Sequence, residues 1–60
     1  MATEVWMFDD EVKARNFEEG VDYRMPSNHV EWLDTMTVQL TDPPENVRTI
    51  LRASKAEKLS

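Results

Sequence analysis

Met36-Thr37-Val38-Gln39-Leu40 runs into Thr41-Asp42-Pro43-Pro44-Glu45 and then Asn46-Val47-Arg48-Thr49-Ile50-Leu51, and this stretch decides the fold class. Its first part alternates apolar and polar side chains with a period of two, so one face of a strand is buried and the other is wet. The period changes at the prolines. Asp42 with Glu45 three residues later has the pattern of a capping box, and proline is tolerated in a first helical turn. Pro44 disfavours helical geometry at Pro43, which leaves a start one residue later open. Beyond it Val47, Ile50, Leu51 and Ser54 recur at i, i+3, i+4 and i+7, the stripe of a helix packed by one face. A strand over 35–40 and a helix over about 44–55 follow. The stripe stops after Leu51, and Leu59 falls among the basic residues on the other side. The last turns are therefore expected to fray or to dock elsewhere.

Working back toward the N-terminus, Val30, Trp32, Met36, Val38 and Leu40 share a period-two face that only Asp34 interrupts. Residues 29–34 thus extend the strand or enter it through a bend, after Pro26 and the turn-forming pair Ser27-Asn28. Val21-Asp22-Tyr23-Arg24-Met25 also alternates and predicts a strand ended by Pro26. Residues 3–8, Thr-Glu-Val-Trp-Met-Phe, cluster β-branched and aromatic side chains and predict another. Between them, Asp9-Asp10-Glu11 places acids where a helix N-terminus favours them, and Gly20 supplies a stop with Val21 packing back near Phe17. A short helix is favoured there. Its rival is a hairpin in which residues 12–17 pair back onto the first strand.

Together these elements predict a single small α+β domain over residues 1–60. Its sheet is mostly antiparallel and three-stranded, near 3–8, 21–25 and 35–40, with the C-terminal helix packed across it. Val47, Ile50 and Leu51 should meet Val38, Leu40 and one face of the first strand.

Length and composition then limit what such a domain can be. Sixty residues carry twelve acids, seven bases, one histidine and no cysteine, for a net charge of −5. A chain this short buries only about 60 % of its unfolded surface and rarely keeps more than about 3–5 kcal/mol without a staple. Disulfides are impossible. A structural zinc site is short of ligands, since His29 leaves the rest to carboxylates. Without a partner, the chain is expected to self-associate or to be only marginally stable. Its longest apolar run, Val5-Trp6-Met7-Phe8, is far below the roughly 18–20 residues that span a bilayer. Met1-Ala2-Thr3-Glu4 has neither the basic nor the apolar part of a secretion leader, so cytosolic residence without a membrane partner is expected.

Charge is unevenly spread. Residues 1–34 hold nine acids and three bases, and residues 35–60 hold three acids and four bases. Asp9, Asp10, Glu11, Glu18, Glu19 and Asp22 form a candidate acidic surface, whose plain account is solubility and whose sharper one is imitation of a phosphate row. Arg48, Arg52 and Lys55 share one flank of the last helix and read as a solvated face suited to its C-terminal dipole. The overall charge opposes direct binding of nucleic acid. His29 near Glu31 and Asp34 is a poor ligand set, and Gly20 alone cannot make a phosphate loop. No catalytic residue, metal ligand or cofactor is assigned, and the chain is not expected to be an enzyme.

Aromatic residues are the better candidates, and Trp6, Phe8, Tyr23 and Trp32 are assigned as partner-binding. The first strand is apolar on both faces, Val5 and Met7 on one, Trp6 and Phe8 on the other. A small sheet covered by one or two helices does not easily bury both. Trp6 with Phe8 is expected to stay partly exposed and to carry the contact. The function expected is a non-catalytic protein-binding module that modulates or inhibits a larger protein, of the kind phages and mobile elements encode. Its alternatives are an accessory subunit of a stable assembly and an acidic DNA mimic. Residues 36–60, a strand followed by a proline-capped helix, resemble the opening of ribbon-helix-helix repressors. That fold needs a second helix after the first for its dimer core, and with none read within 36–60 the resemblance is not adopted.

Overall fold

The computed structural model describes residues 2–60. In chain order they form β1 (Thr3–Met7), α1 (Glu11–Val21), a 3₁₀ turn (Ser27–His29), β2 (Val30–Trp32), β3 (Thr37–Thr41), α2 (Glu45–Ala53) and β4 (Glu57–Lys58). The strands lie in the order β2-β3-β1-β4, and every pairing is antiparallel. This is the split β-α-β arrangement, in which each outer strand flanks one of two central ones. The α+β expectation holds, with four strands in place of three and two full helices.

Register explains the core. Trp6 lies opposite Val38 across β1 and β3, while Val30 and Trp32 of β2 face Leu40 and Val38. Alternation along each strand therefore gathers Glu4, Trp6, Val38, Leu40, Val30 and Trp32 on one face. Onto it α1 presents Ala14, Phe17 and Val21, and α2 presents Val47 and Leu51. Phe8, just past β1, stands 5.3 Å from Phe17 and 6.2 Å from Trp32 between ring centroids, so one aromatic cluster joins β1, α1 and β2. Trp6 and Phe8 are only 5 % and 1 % exposed. The expectation that this pair stays exposed is corrected: two helices cover its face, and the uncovered face is that of Val5 and Met7.

The acidic start of α1 works as read. Asp10 is the N-cap, and its carboxylate accepts a 2.7 Å hydrogen bond from the Val12 N–H. Gly20, however, does not stop the helix, which runs through it to Val21. No strand forms over 21–25 either. The Met25 N–H donates to the Val21 carbonyl at 3.0 Å, a helical spacing, and Tyr23 between them points outward at 89 % exposure. Residues i and i+4 share a face in a strand and in a helix alike, so the alternation at Val21 and Met25 had two meanings.

The long period-two face is real but folds back on itself. Asp34, its one interruption, is the turn: its carboxylate accepts from the Met36 N–H at 2.8 Å, and the Leu33 N–H donates to the Thr37 carbonyl. Residues 30–32 and 37–41 are therefore two antiparallel strands.

Helix α2 lacks the capping box. Pro44 is its N-cap with no side-chain hydrogen bond: the ring of Pro44 keeps Pro43 out of helical geometry, so the helix begins only at Glu45 and its cap falls on a residue with no side-chain acceptor. Asp42 instead takes a left-handed φ of 50° and closes the entry to β1, accepting from the Ala2 N–H at 2.7 Å. At the other end Lys55 takes φ 63°, its N–H bonds the Arg52 carbonyl, and the Ala56 N–H bonds the Leu51 carbonyl. This is a Schellman ending with lysine where glycine is usual. It reverses the chain into β4, so the C-terminal residues dock beside β1, Lys58 opposite Trp6.

Candidate functional site

The face of the sheet turned away from the helices follows from the same registers. Thr3, Val5 and Met7 of β1 lie opposite Thr41, Gln39 and Thr37 of β3. Thus both central strands present only uncharged side chains there. Glu57 of β4 lies opposite Met7, and Glu31 of β2 lies opposite Gln39, so carboxylates appear only on the outer strands. Leu59, whose N–H bonds the Val5 carbonyl, and Leu33, whose N–H bonds the Thr37 carbonyl, extend the apolar part to both sides. Met7, Leu33 and Leu59 are exposed, whereas Thr37 between Met7 and Leu33 is sheltered to 8 % exposure. Among the described residues no helix covers this face, since both helices bury their apolar sides against the other one. It is a neutral, partly apolar stripe with acids at its two edges.

On the covered face the polar exception is Glu4, 7 % exposed. One carboxylate oxygen accepts from the Trp6 indole N–H at 2.9 Å. The other accepts from Arg48 Nε and Nη2 at 3.0 and 2.7 Å. The Arg48 guanidinium holds the Glu4 carboxyl below the usual carboxylate range, aided by the Trp6 hydrogen bond and opposed by burial. Arg48 also reaches Glu45, which pairs with Arg52 in turn. Arg48 therefore ties α2 to β1, a correction to its reading as a solvated cation. Arg52 remains exposed as read.

Of the aromatic candidates, the fold brings Trp6, Phe8 and Trp32 to the core face and leaves Tyr23 alone in the turn after α1. Trp32 is only partly buried and lines a cleft beside α1. The acids of 9–22 are all exposed. Lys13 pairs with Asp9 at 3.1 Å and Arg15 with Glu11 at 3.3 Å, while Asp10 is taken up as the helix cap. His29 sits in the 3₁₀ turn.

Met7, Leu33, Leu59 and Val5 were not singled out as candidates. The signal for Val5 and Met7 was the two-faced apolar character of β1. Leu59 had none, because nothing local announces a two-residue edge strand. No family model, no curated protein and no solved structure matches this chain. Among the described residues no helix is long and apolar enough to cross a membrane.

Proposed function

We propose that this chain is a small non-catalytic binding protein that seats its open sheet face on a larger protein and thereby modulates it. The observation that carries the reading is the absence of charge from both central strands on the uncovered face, with Val5, Met7, Leu33 and Leu59 clustered there. Exposed apolar side chains on a hydrogen-bonded sheet cost little to order on binding, since the backbone is already fixed. An interface of ordinary size covers about 800 Å² per partner. That is about a fifth of this molecule's 3886 Å² surface.

Edge charges favour a different protein over a second copy. Stacking two such faces brings Glu31 and Glu57 of each copy toward like charges, on chains already at −5. A partner with basic residues around an apolar patch meets the same edges favourably. The DNA-mimic alternative is less well supported, because Lys13 and Arg15 offset two of the acids it needs.

The test uses Met7→Lys/Leu59→Lys, two exposed positions, with Glu19→Lys, exposed on α1 and outside both the sheet face and the cleft, as control. The partner captured by wild type, once purified, should bind the double variant at least about tenfold more weakly. Control binding and the melting temperature of all three proteins should stay close to wild type, and wild-type binding should respond only weakly to salt. Undiminished binding by the double variant refutes the assignment of this face.

A further inference from the structure

On the helix side of the sheet, a cleft of about 440 Å³ opens between α1 and the β2–β3 hairpin. Glu11, Ala14, Arg15 and Glu18 wall it from α1, and Trp32 and Asp34 line it from the hairpin. The helical residues stand at i, i+3, i+4 and i+7, so the wall is one continuous stripe of α1. The volume lies in the range of ligand-sized sites, far above the roughly 30 Å³ of a water. Trp32, only partly buried, is the one aromatic side chain in its lining.

Charge then selects the occupant. Arg15 pairs with Glu11 at 3.3 Å, both side chains more than half exposed, and offsets one carboxylate. Glu18 has no ion-pair partner among the described residues. Asp34 is held in place by the Met36 N–H and adds a fixed negative charge. Two carboxylates beside an indole ring repel phosphate and carboxylate ligands. A bare metal ion does not fit either, because among the described residues no three Asp, Glu or His groups are placed to hold one. Spread-out acids around a flat ring suit a planar, extended organic cation. Guanidinium is such a group: it is weakly hydrated, stacks on indole and can offer a carboxylate two parallel N–H bonds.

We propose that the cleft between α1 and the β2–β3 hairpin receives one arginine side chain of a partner protein, its guanidinium stacked on Trp32 and paired with Glu18. The inference rests on the binding-protein reading for the source of that arginine, but it uses a surface separate from the open sheet face. Met7→Lys/Leu59→Lys tests that face, and the variants below test the cleft, so either can fail alone.

The experiment is a two-dimensional NMR titration of the full chain with the blocked tripeptide Gly-Arg-Gly. Its citrulline analogue, equal in shape but uncharged, and its lysine analogue serve as comparisons. Saturable shifts should centre on the Trp32 indole N–H and on the Glu18 and Asp34 amides, with affinity of roughly millimolar order. Citrulline should produce no saturable shift. Glu18→Gln should weaken arginine binding about threefold or more, and Trp32→Phe, which keeps a ring in the core cluster, should do likewise. Should Trp32→Phe unfold the protein, Glu18→Gln and the citrulline peptide still decide. Equal binding of citrulline, lysine binding as tight as arginine, insensitivity to Glu18→Gln, or no saturable shift at the cleft each overturns the proposal.

Discussion

Replacing Glu4 with glutamine should lower stability at pH 7 by about 2 kcal/mol while preserving the shape of the side chain. The two bonds from Arg48 to one carboxylate oxygen, at 3.0 and 2.7 Å, become contacts to an uncharged amide. Hydrogen bonds to charged groups are worth about 1.5–3 kcal/mol each, and breaking a fully buried ion pair costs about 3–5 kcal/mol. Arg48 retains Glu45 and has 30 % of its side chain exposed, so water recovers part of the loss and the low end applies. A melting temperature about 8–16 °C lower is expected for a domain of this length. The pH dependence sharpens the test. Glu4 has its carboxyl depressed in the folded state, so its contribution is full above the unfolded value and drains away as pH falls through the folded one. Glutamine resembles the protonated form. Wild type and Glu4→Gln should therefore differ most near neutrality and draw together as pH falls below the unfolded carboxylate range, measured by urea unfolding followed by circular dichroism. A difference below about 0.5 kcal/mol at pH 7, or curves that stay parallel between about pH 6 and pH 3, refutes the argument.

Other consequences concern packing and backbone. Trp6→Ala, at a site 5 % exposed, should cost about 3–5 kcal/mol and unfold much of the population at 25 °C, read from far-ultraviolet circular dichroism; a folded variant would place Trp6 outside the core. Lys55→Gly should raise the melting temperature by a few degrees, about 0.5–1 kcal/mol, because φ 63° strains any residue with a Cβ. Gly20→Ala should also stabilise, by about 0.5 kcal/mol, since Gly20 lies inside α1 and an added Cβ meets only the movable end of Arg24 at 3.1 Å. Thermal melts of the two variants check both signs.

Local patterning made much of this fold legible. The clustering at 3–8, the acids before α1, the alternation of 36–40 and the stripe Val47, Ile50, Leu51 each name an element through its own neighbours in sequence. The open face was half legible: β1 is apolar on both sides, so something had to stay uncovered. Which side did was not. Trp6 and Phe8 are the larger residues, and two helices rather than one provide enough surface to bury them, which leaves Val5 and Met7 outside. Leu33 and Leu59 join those two only through pairing across strands.

Sequence alone thus determined the element types at 3–8, 36–40 and along the Val47, Ile50, Leu51 stripe, because such periods are set by the backbone geometry of a few adjacent residues. Tertiary structure decided whatever needed a distant partner. Val21-Asp22-Tyr23-Arg24-Met25 satisfies strand and helix spacing equally, and it took the packing of Val21 and Met25 into the core to choose. Asp42 could cap a helix or meet Ala2, forty residues away, and a helix that begins only at Glu45 left it to the second. Arg48 looked solvated until the register of β1 placed Glu4 beneath it. The Trp32 cleft exists only because α1 lies against a hairpin that its own sequence does not mention. Contacts across the sheet, and between sheet and helix, join residues far apart in the chain, and no local period encodes them.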